Sequence, residues 1–345
     1  MYWRHLNLTA EPFSLSPDPA FLYLSPVHAE AFAAITMGLR ERRGVMTMIG
    51  EVGTGKTTLV YSLLSGLGPD FHTAYISNAR LSFDGILRSA LQDFDVPCEA
   101  NDRVDLLDTF NSFLHRCANE GTTAVLVVDE AQNLSYETFE DLRLLSNFET
   151  YRHKLLQIVL VGQPELDTKL RDPALRQVSE RVAVRCNVNP LTHAQAKQYI
   201  DHRLRAVNGS INLFTKPALR LLVSRSRGIP RSINILCHNA LLFAYGEGKN
   251  RVTRSVIRGA VREKQGRGLV RFDKGTRARI ASGVGIPSGR LASGRSWMLA
   301  AALVAACGVF GLRYATSSAV SVEDTGRAPS AAAVESDSQP AVNAK

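Results

Sequence analysis

Residues Gly50-Glu51-Val52-Gly53-Thr54-Gly55-Lys56-Thr57 have the spacing GxxxxGK[ST]. Glycines at these positions let backbone N–H groups turn inward, which makes a cradle for phosphate oxygens. A helix opening at the end of the loop adds a favourable field for an anion. Lys56 supplies a point charge for the β- and γ-phosphates, and the Thr57 hydroxyl is a hard ligand for Mg²⁺. A second chemical pair is Asp129-Glu130, which ends the apolar run Ala124-Val125-Leu126-Val127-Val128. Asp129 is placed to hold Mg²⁺ through water, and Glu130 to polarise an attacking water. Asn78 closes Tyr75-Ile76-Ser77. Its carboxamide would hydrogen-bond Glu130 and hold it off the water. A turn-forming asparagine is the alternative.

These groups need a scaffold that brings strand ends together. Val45–Ile49 reads as a strand running into the glycine loop, and Thr58–Leu67 as the helix after it. Further strands read at 73–77, 124–128, 156–161 and 182–188. The runs 124–128 and 156–161 are uninterrupted apolar segments, as expected of parallel strands buried on both faces. Helical periodicity falls at 26–42, 82–94, 103–119 and 136–148. Beyond Pro190 the character changes, with four helical patterns in succession at 193–207, 216–226, 232–245 and 253–264. The predicted organisation is an α/β nucleotide-binding domain with an ordered N-terminal arm over 1–190 and a small helical domain over 191–265. A basic Gly/Ser-rich linker is expected at 266–296, an apolar span at 297–312 and an Ala/Ser/Pro-rich disordered tail at 313–345.

The phosphate loop, Asp129-Glu130, the strand pattern and the helical segment together resemble an AAA+ ATPase. The segments Glu11–Pro19, Phe21-Leu22-Tyr23, Gly50–Thr58, Asp129–Leu134 and Leu160–Leu166 are similar to those of the ExeA/GspA group. These are inner-membrane ATPases associated with type II secretion. The resemblance spans residues 1–265. It implies a P-loop NTPase parallel sheet with a small helical lid, binding ATP with Mg²⁺ through Gly50, Glu51, Val52, Gly53, Thr54, Gly55, Lys56, Thr57 and Thr58. It also implies that Gln163 senses the γ-phosphate and that Arg231 is a lid arginine contacting nucleotide. Arg181 would act as an arginine finger on a neighbouring subunit of a homo-oligomer, with Arg176 as its rival. Such proteins usually carry a periplasmic peptidoglycan-binding domain after the membrane helix, and the composition of 313–345 does not fit one.

The chain has 345 residues and a formal charge of +9, with 41 basic and 32 acidic groups. The distribution is uneven. Residues 1–250 balance, whereas 251–296 carry 12 basic and 2 acidic groups. That surplus precedes Trp297–Leu312, sixteen residues without a charge, bounded by Arg295 and Arg313. The positive-inside rule then predicts a single-pass inner-membrane protein, with its ATPase domain in the cytoplasm and anionic lipid beside the basic stretch. Five cysteines without CxxC spacing and eight scattered histidines exclude a disulfide framework and a Cys/His zinc site. The function expected is ATP hydrolysis driving a secretion or envelope-export complex. The alternative is a DNA-binding ATPase of the transposition-helper type, in which the basic stretch meets nucleic acid.

Overall fold

The computed structural model describes residues 2–15, 21–100, 102–149 and 153–264. Five parallel strands form one sheet in the order β2-β3-β4-β1-β5. They are β1 (Val45–Ile49), β2 (Phe71–Ile76), β3 (Thr123–Val128), β4 (Leu156–Gly162) and β5 (Val182–Asn187). α2 (Pro26–Arg40, preceded by the short α1, Tyr2–His5) leads into β1, and the helices between the strands are α3 (Lys56–Gly66), α4 (Phe83–Asp93), α5 (Arg103–Glu120), α6 (Tyr136–Leu145), α7 (Pro164–Leu170) and α8 (Arg176–Arg181). Parallel neighbours require crossovers, and these helices supply them.

Each central strand divides its side chains between two cores. Ala124, Leu126 and Val128 of β3 pack with Ile86, Phe110 and Phe139 on one face. Val125 and Val127 pack with Ile35, Leu59 and Leu63 on the other. Burial on both faces explains why β3 and β4 lack polar alternation. The edge strand β5 is buried only at Cys186 and therefore alternates. α7 and α8 were not foreseen, because together they occupy one short connection between β4 and β5 whose apolar residues show no long period.

After β5 the described chain contains only helices: α9 (His193–Arg205), α10 (Lys216–Ser226), α11 (Pro230–Gly246) and α12 (Arg254–Lys264). They share a core of their own, which includes Leu222, Ile233, Leu236 and Ile257. The N-terminal arm belongs to this core, since Tyr2 and Phe13 are buried in it. Arg203 of α9 fixes the arm. Its guanidinium donates to the Pro12 carbonyl at 2.7 Å, the Ser14 carbonyl at 3.3 Å and the Tyr199 hydroxyl at 2.9 Å, and it lies over the Phe21 ring. Among the described residues no helix is long and apolar enough to cross a membrane. The apolar run 297–312, the linker 266–296 and the tail 313–345 lie outside the described residues.

Gly228, between α10 and α11, joins the helices to the sheet. Its φ is +71°, and a Cβ there would lie 2.0 Å from the Leu191 carbonyl oxygen. The backbone must be left-handed and bare at this point. Gly228→Ala is therefore expected to cost at least ~2 kcal/mol, read as a lowered urea midpoint. Gly66→Ala, at the end of α3 with open space around its Cβ, is expected to be neutral or to stabilise by a few tenths of a kcal/mol.

Candidate functional site

The sheet order places the carboxyl ends of β3, β4 and β1 side by side. Ligands bind parallel sheets at that edge. The glycine loop leaves β1 and enters α3, with Gly53 at φ +81° and Gly55 at φ +102°. Gly50 admits no side chain, because a Cβ would lie 2.4 Å from the Val188 carbonyl oxygen. Lys56 is buried and folds back over the loop. Its Nζ donates to the carbonyls of Gly50 at 2.8 Å and Glu51 at 3.1 Å. Burial pulls its pKa below the usual lysine value, and the charges of Glu130, Asp129, Glu51 and Glu165 oppose that shift.

Asp129 follows β3 and gathers three donors. Oδ2 accepts from the Thr57 hydroxyl at 2.9 Å and the Tyr75 hydroxyl at 2.7 Å, and Oδ1 accepts from the Glu130 backbone N–H at 2.8 Å. Burial, reinforced by the hydrogen bond to Asp129, pushes the Tyr75 phenol far above its ordinary pKa, so it stays a donor. Glu130 has φ +52°, a left-handed conformation unusual for a non-glycine residue and a form of strain often found at functional sites. Its carboxylate accepts from the side-chain amides of Gln132 and, at 2.9 Å, Gln163. Gln132 also accepts from the Gln163 backbone N–H at 3.1 Å. One glutamine thus ties the turn after β3 to the end of β4.

Lys56, Thr57 and Glu130 line a cleft of about 360 Å³. Its phosphate end is the loop from Val52 to Thr58 together with Glu130, and its far end is made by Phe21, Leu22 and Tyr23 of the arm with Tyr199 and Asn234 of the helices. The Arg231 side chain lines the same cleft, and its backbone N–H donates to the Gly53 carbonyl at 3.2 Å.

Comparison with known proteins agrees with this geometry. Residues 39–170 match the AAA domain family. Over 267 residues the chain is 39% identical to General secretion pathway protein A of Aeromonas hydrophila, covering 77% of this chain and 49% of that protein. The chain is an AAA+ protein, related to general secretion pathway protein A. A weaker relative is the ATP-dependent target DNA activator B of Escherichia phage Mu, 29% identical over 42% of this chain and 44% of that protein. The chain therefore spans about half the length of the curated relatives it matches. Among solved structures, the Aeropyrum pernix ORC2 protein in its ADPNP–ADP complexes superposes with a TM-score of 0.55 at 20% identity, over 73% of this chain and 71% of that one. Drosophila ORC bound to DNA gives 0.58 at 19%, over 88% and 84%. At such identities the likeness is one of fold.

The AAA+ cleft brings together most of the residues singled out in the sequence. Gly53 to Thr58, Glu130 and Arg231 line it. Asp129 reaches it through Thr57, and Gln163 through Glu130. Asn78 stands apart. It is exposed, and its Oδ1 accepts from the Arg80 N–H at 3.2 Å in the turn after β2. The turn-forming alternative therefore describes it, and Gln132 and Gln163 make the glutamate contacts expected of it. Arg181 is exposed at the end of α8 and does not line its own chain's cleft. Its rival Arg176 pairs with Glu180 at 2.8 Å.

Sequence reasoning missed Tyr75, Gln132 and His28. His28, in the first turn of α2, reaches the phosphate loop. Its Nε2 lies 2.9 Å from the Thr54 carbonyl oxygen and its Nδ1 2.6 Å from the Ser25 hydroxyl. The carbonyl can only accept, so Nε2 carries the proton and Ser25 donates to Nδ1. No spacing signal links His28 to a loop 26 residues away. Its removal should loosen the loop while leaving the fold intact. His28→Ala is expected to raise the Kd for nucleotide about five- to tenfold, the worth of one buried hydrogen bond, as measured by calorimetric titration.

Proposed function

We propose that this chain binds and hydrolyses MgATP as a membrane-anchored AAA+ ATPase serving a secretion or envelope-export complex. One observation carries the catalytic part. In a single cleft a phosphate loop faces a hydroxyl–carboxylate pair, Thr57 and Asp129, 2.9 Å apart, beside a glutamate oriented by two amides. Both members of the pair are hard oxygen donors suited to Mg²⁺. When bound, the ion supplies charge neutralisation for the phosphates. In this reading Lys56 exchanges its two loop carbonyls for phosphate oxygens, an exchange favoured because a buried ammonium gains more from an anion than from a neutral acceptor. Glu130 orients the water, Gln163 reports the γ-phosphate to Glu130 through their hydrogen bond, and Arg231 carries the contact to the helices, which act as a lid. Arg181 completes a neighbour's site in a homo-oligomer, ring-shaped in its simplest form.

The secretion assignment is supported by the 39% identity with general secretion pathway protein A, and the membrane anchor by the uncharged run 297–312 behind a basic stretch. A DNA-handling ATPase is the second reading, supported by the likeness to the Mu target DNA activator. A salt-sensitive mobility shift with duplex DNA, together with recovery of the native protein in the soluble fraction, would favour it.

Lys56→Ala is expected to abolish nucleotide binding. Glu130→Gln should keep binding and lose at least ~100-fold in kcat, read by phosphate release, and wild-type turnover in that variant would overturn its role. Arg181→Ala should lose on the order of 1,000-fold. Mixing it with Lys56→Ala subunits should restore turnover, because one variant keeps the finger and the other keeps the site. No recovery on mixing, with loss instead in Arg176→Ala, would transfer the role to Arg176.

A further inference from the structure

Four arginines converge on one shallow cavity lined by α10 and α12. Arg225 ends α10, while Arg254, Arg258 and Arg262 stand four residues apart on α12. With Leu221 and Val261 they line the whole cavity, about 340 Å³ in volume. All four are exposed, and none is in an ion pair among the described residues. The arrangement works against the helix. Like charges four apart repel, and the first turn of α12, which holds Arg254 and no acid, is the positive end of its dipole. The opposite side of α12 does the packing through Val256, Ile257 and Ala260, so the arginines are not needed to hold the helix in place.

We propose that this arginine-lined face of α10 and α12 docks on an anionic membrane surface and binds lipid phosphates. Guanidinium forks match phosphate oxygens, and the aliphatic Leu221 and Val261 between them suit the boundary between headgroup and acyl chain. A platform for single-stranded nucleic acid would need aromatic rings to stack bases, and the cavity lining has none; a duplex, held through its phosphates alone, would have no use for the aliphatic pair and is an arm of the test below. The chain runs from α12 into the basic stretch 265–296 and then into the uncharged run 297–312. A chain anchored there keeps this face within reach of the headgroups without fixing its orientation, and that part of the argument rests on the membrane-anchored reading. Docking would hold the helices that carry Arg231 at the bilayer and leave the sheet layer free to move against them.

The test is hydrogen–deuterium exchange on the full chain with phosphatidylcholine vesicles, with vesicles containing phosphatidylglycerol, and without vesicles. Slowed exchange over 221–227 and 254–262 is expected only with phosphatidylglycerol. The effect should vanish in Arg225→Gln/Arg254→Gln/Arg258→Gln, which changes only exposed side chains and should leave exchange elsewhere unchanged. Each arginine near the surface contributes about fivefold to binding, so the triple variant should lose on the order of 100-fold of the extra affinity that phosphatidylglycerol vesicles show over phosphatidylcholine ones. Equal exchange with both vesicles overturns the proposal. So does the same protection by inorganic phosphate alone, by a duplex DNA oligomer in place of lipid, or by nucleotide-driven self-association without vesicles. Flotation with phosphatidylcholine reads the anchor separately. Its failure would remove the membrane span, while the phosphatidylglycerol arm would still decide the arginine face.

Discussion

The glycine loop and the acidic pair of the cleft stand at the carboxyl ends of strands that water does not reach. Parallel strands buried on both faces have no freedom to slip, because a one-residue shift would turn every side chain to the wrong core. Val125 and Val127 face one core while Leu126 and Val128 face the other. That register fixes where β3 ends and therefore where Asp129 begins. The β3–β4 pairing sets Val128 opposite Leu160, and the β1–β4 pairing sets Ile49 opposite Gly162. The glycine loop, the acidic pair and Gln163 are thus placed by hydrophobic burial before any polar contact forms. The hydrogen bonds among Thr57, Asp129, Tyr75, Glu130, Gln132 and Gln163 adjust an arrangement that the sheet has already imposed.

The helical layer closes the cleft through two joints of different character. One is steric, since bare Gly228 meets the Leu191 backbone and bare Gly53 leaves room for the side chains of Ile229 and Arg231. The other is polar and buried, with Arg203 and Asn234 donating to the arm carbonyls and the Tyr199 hydroxyl linking the two. A buried guanidinium is costly unless its donors are satisfied. Here two carbonyls and a hydroxyl answer it.

Much of this was legible in the sequence where the physics is local. The loop spacing, the apolar runs of β3 and β4 and the helical periods after Pro190 all follow from backbone and burial rules that act within a dozen residues. β1 appeared with the predicted bounds, and α3 begins two residues early because Lys56 and Thr57 already belong to its first turn. What escaped were pairings set by distance in the chain. Tyr75 meets Asp129 across two strands, His28 meets Thr54 from the far end of the helix that precedes β1, and Asn78 lost its expected contact to a glutamine on β4's end. A polar residue after a strand is visible in a sequence, but which neighbour it faces depends on strand order, which β2-β3-β4-β1-β5 decides.

The arm has a consequence for how the molecule is made. The bond from Arg203 to the Pro12 carbonyl joins residues 191 apart, and the core that buries Tyr2 and Phe13 also needs Val256 and Ile257. The arm must wait for nearly the last of the described chain, whereas the sheet can assemble as its crossovers emerge. The far wall of the cleft is built from that late-closing arm, so a truncated or still-growing chain has the phosphate loop without the pocket above it.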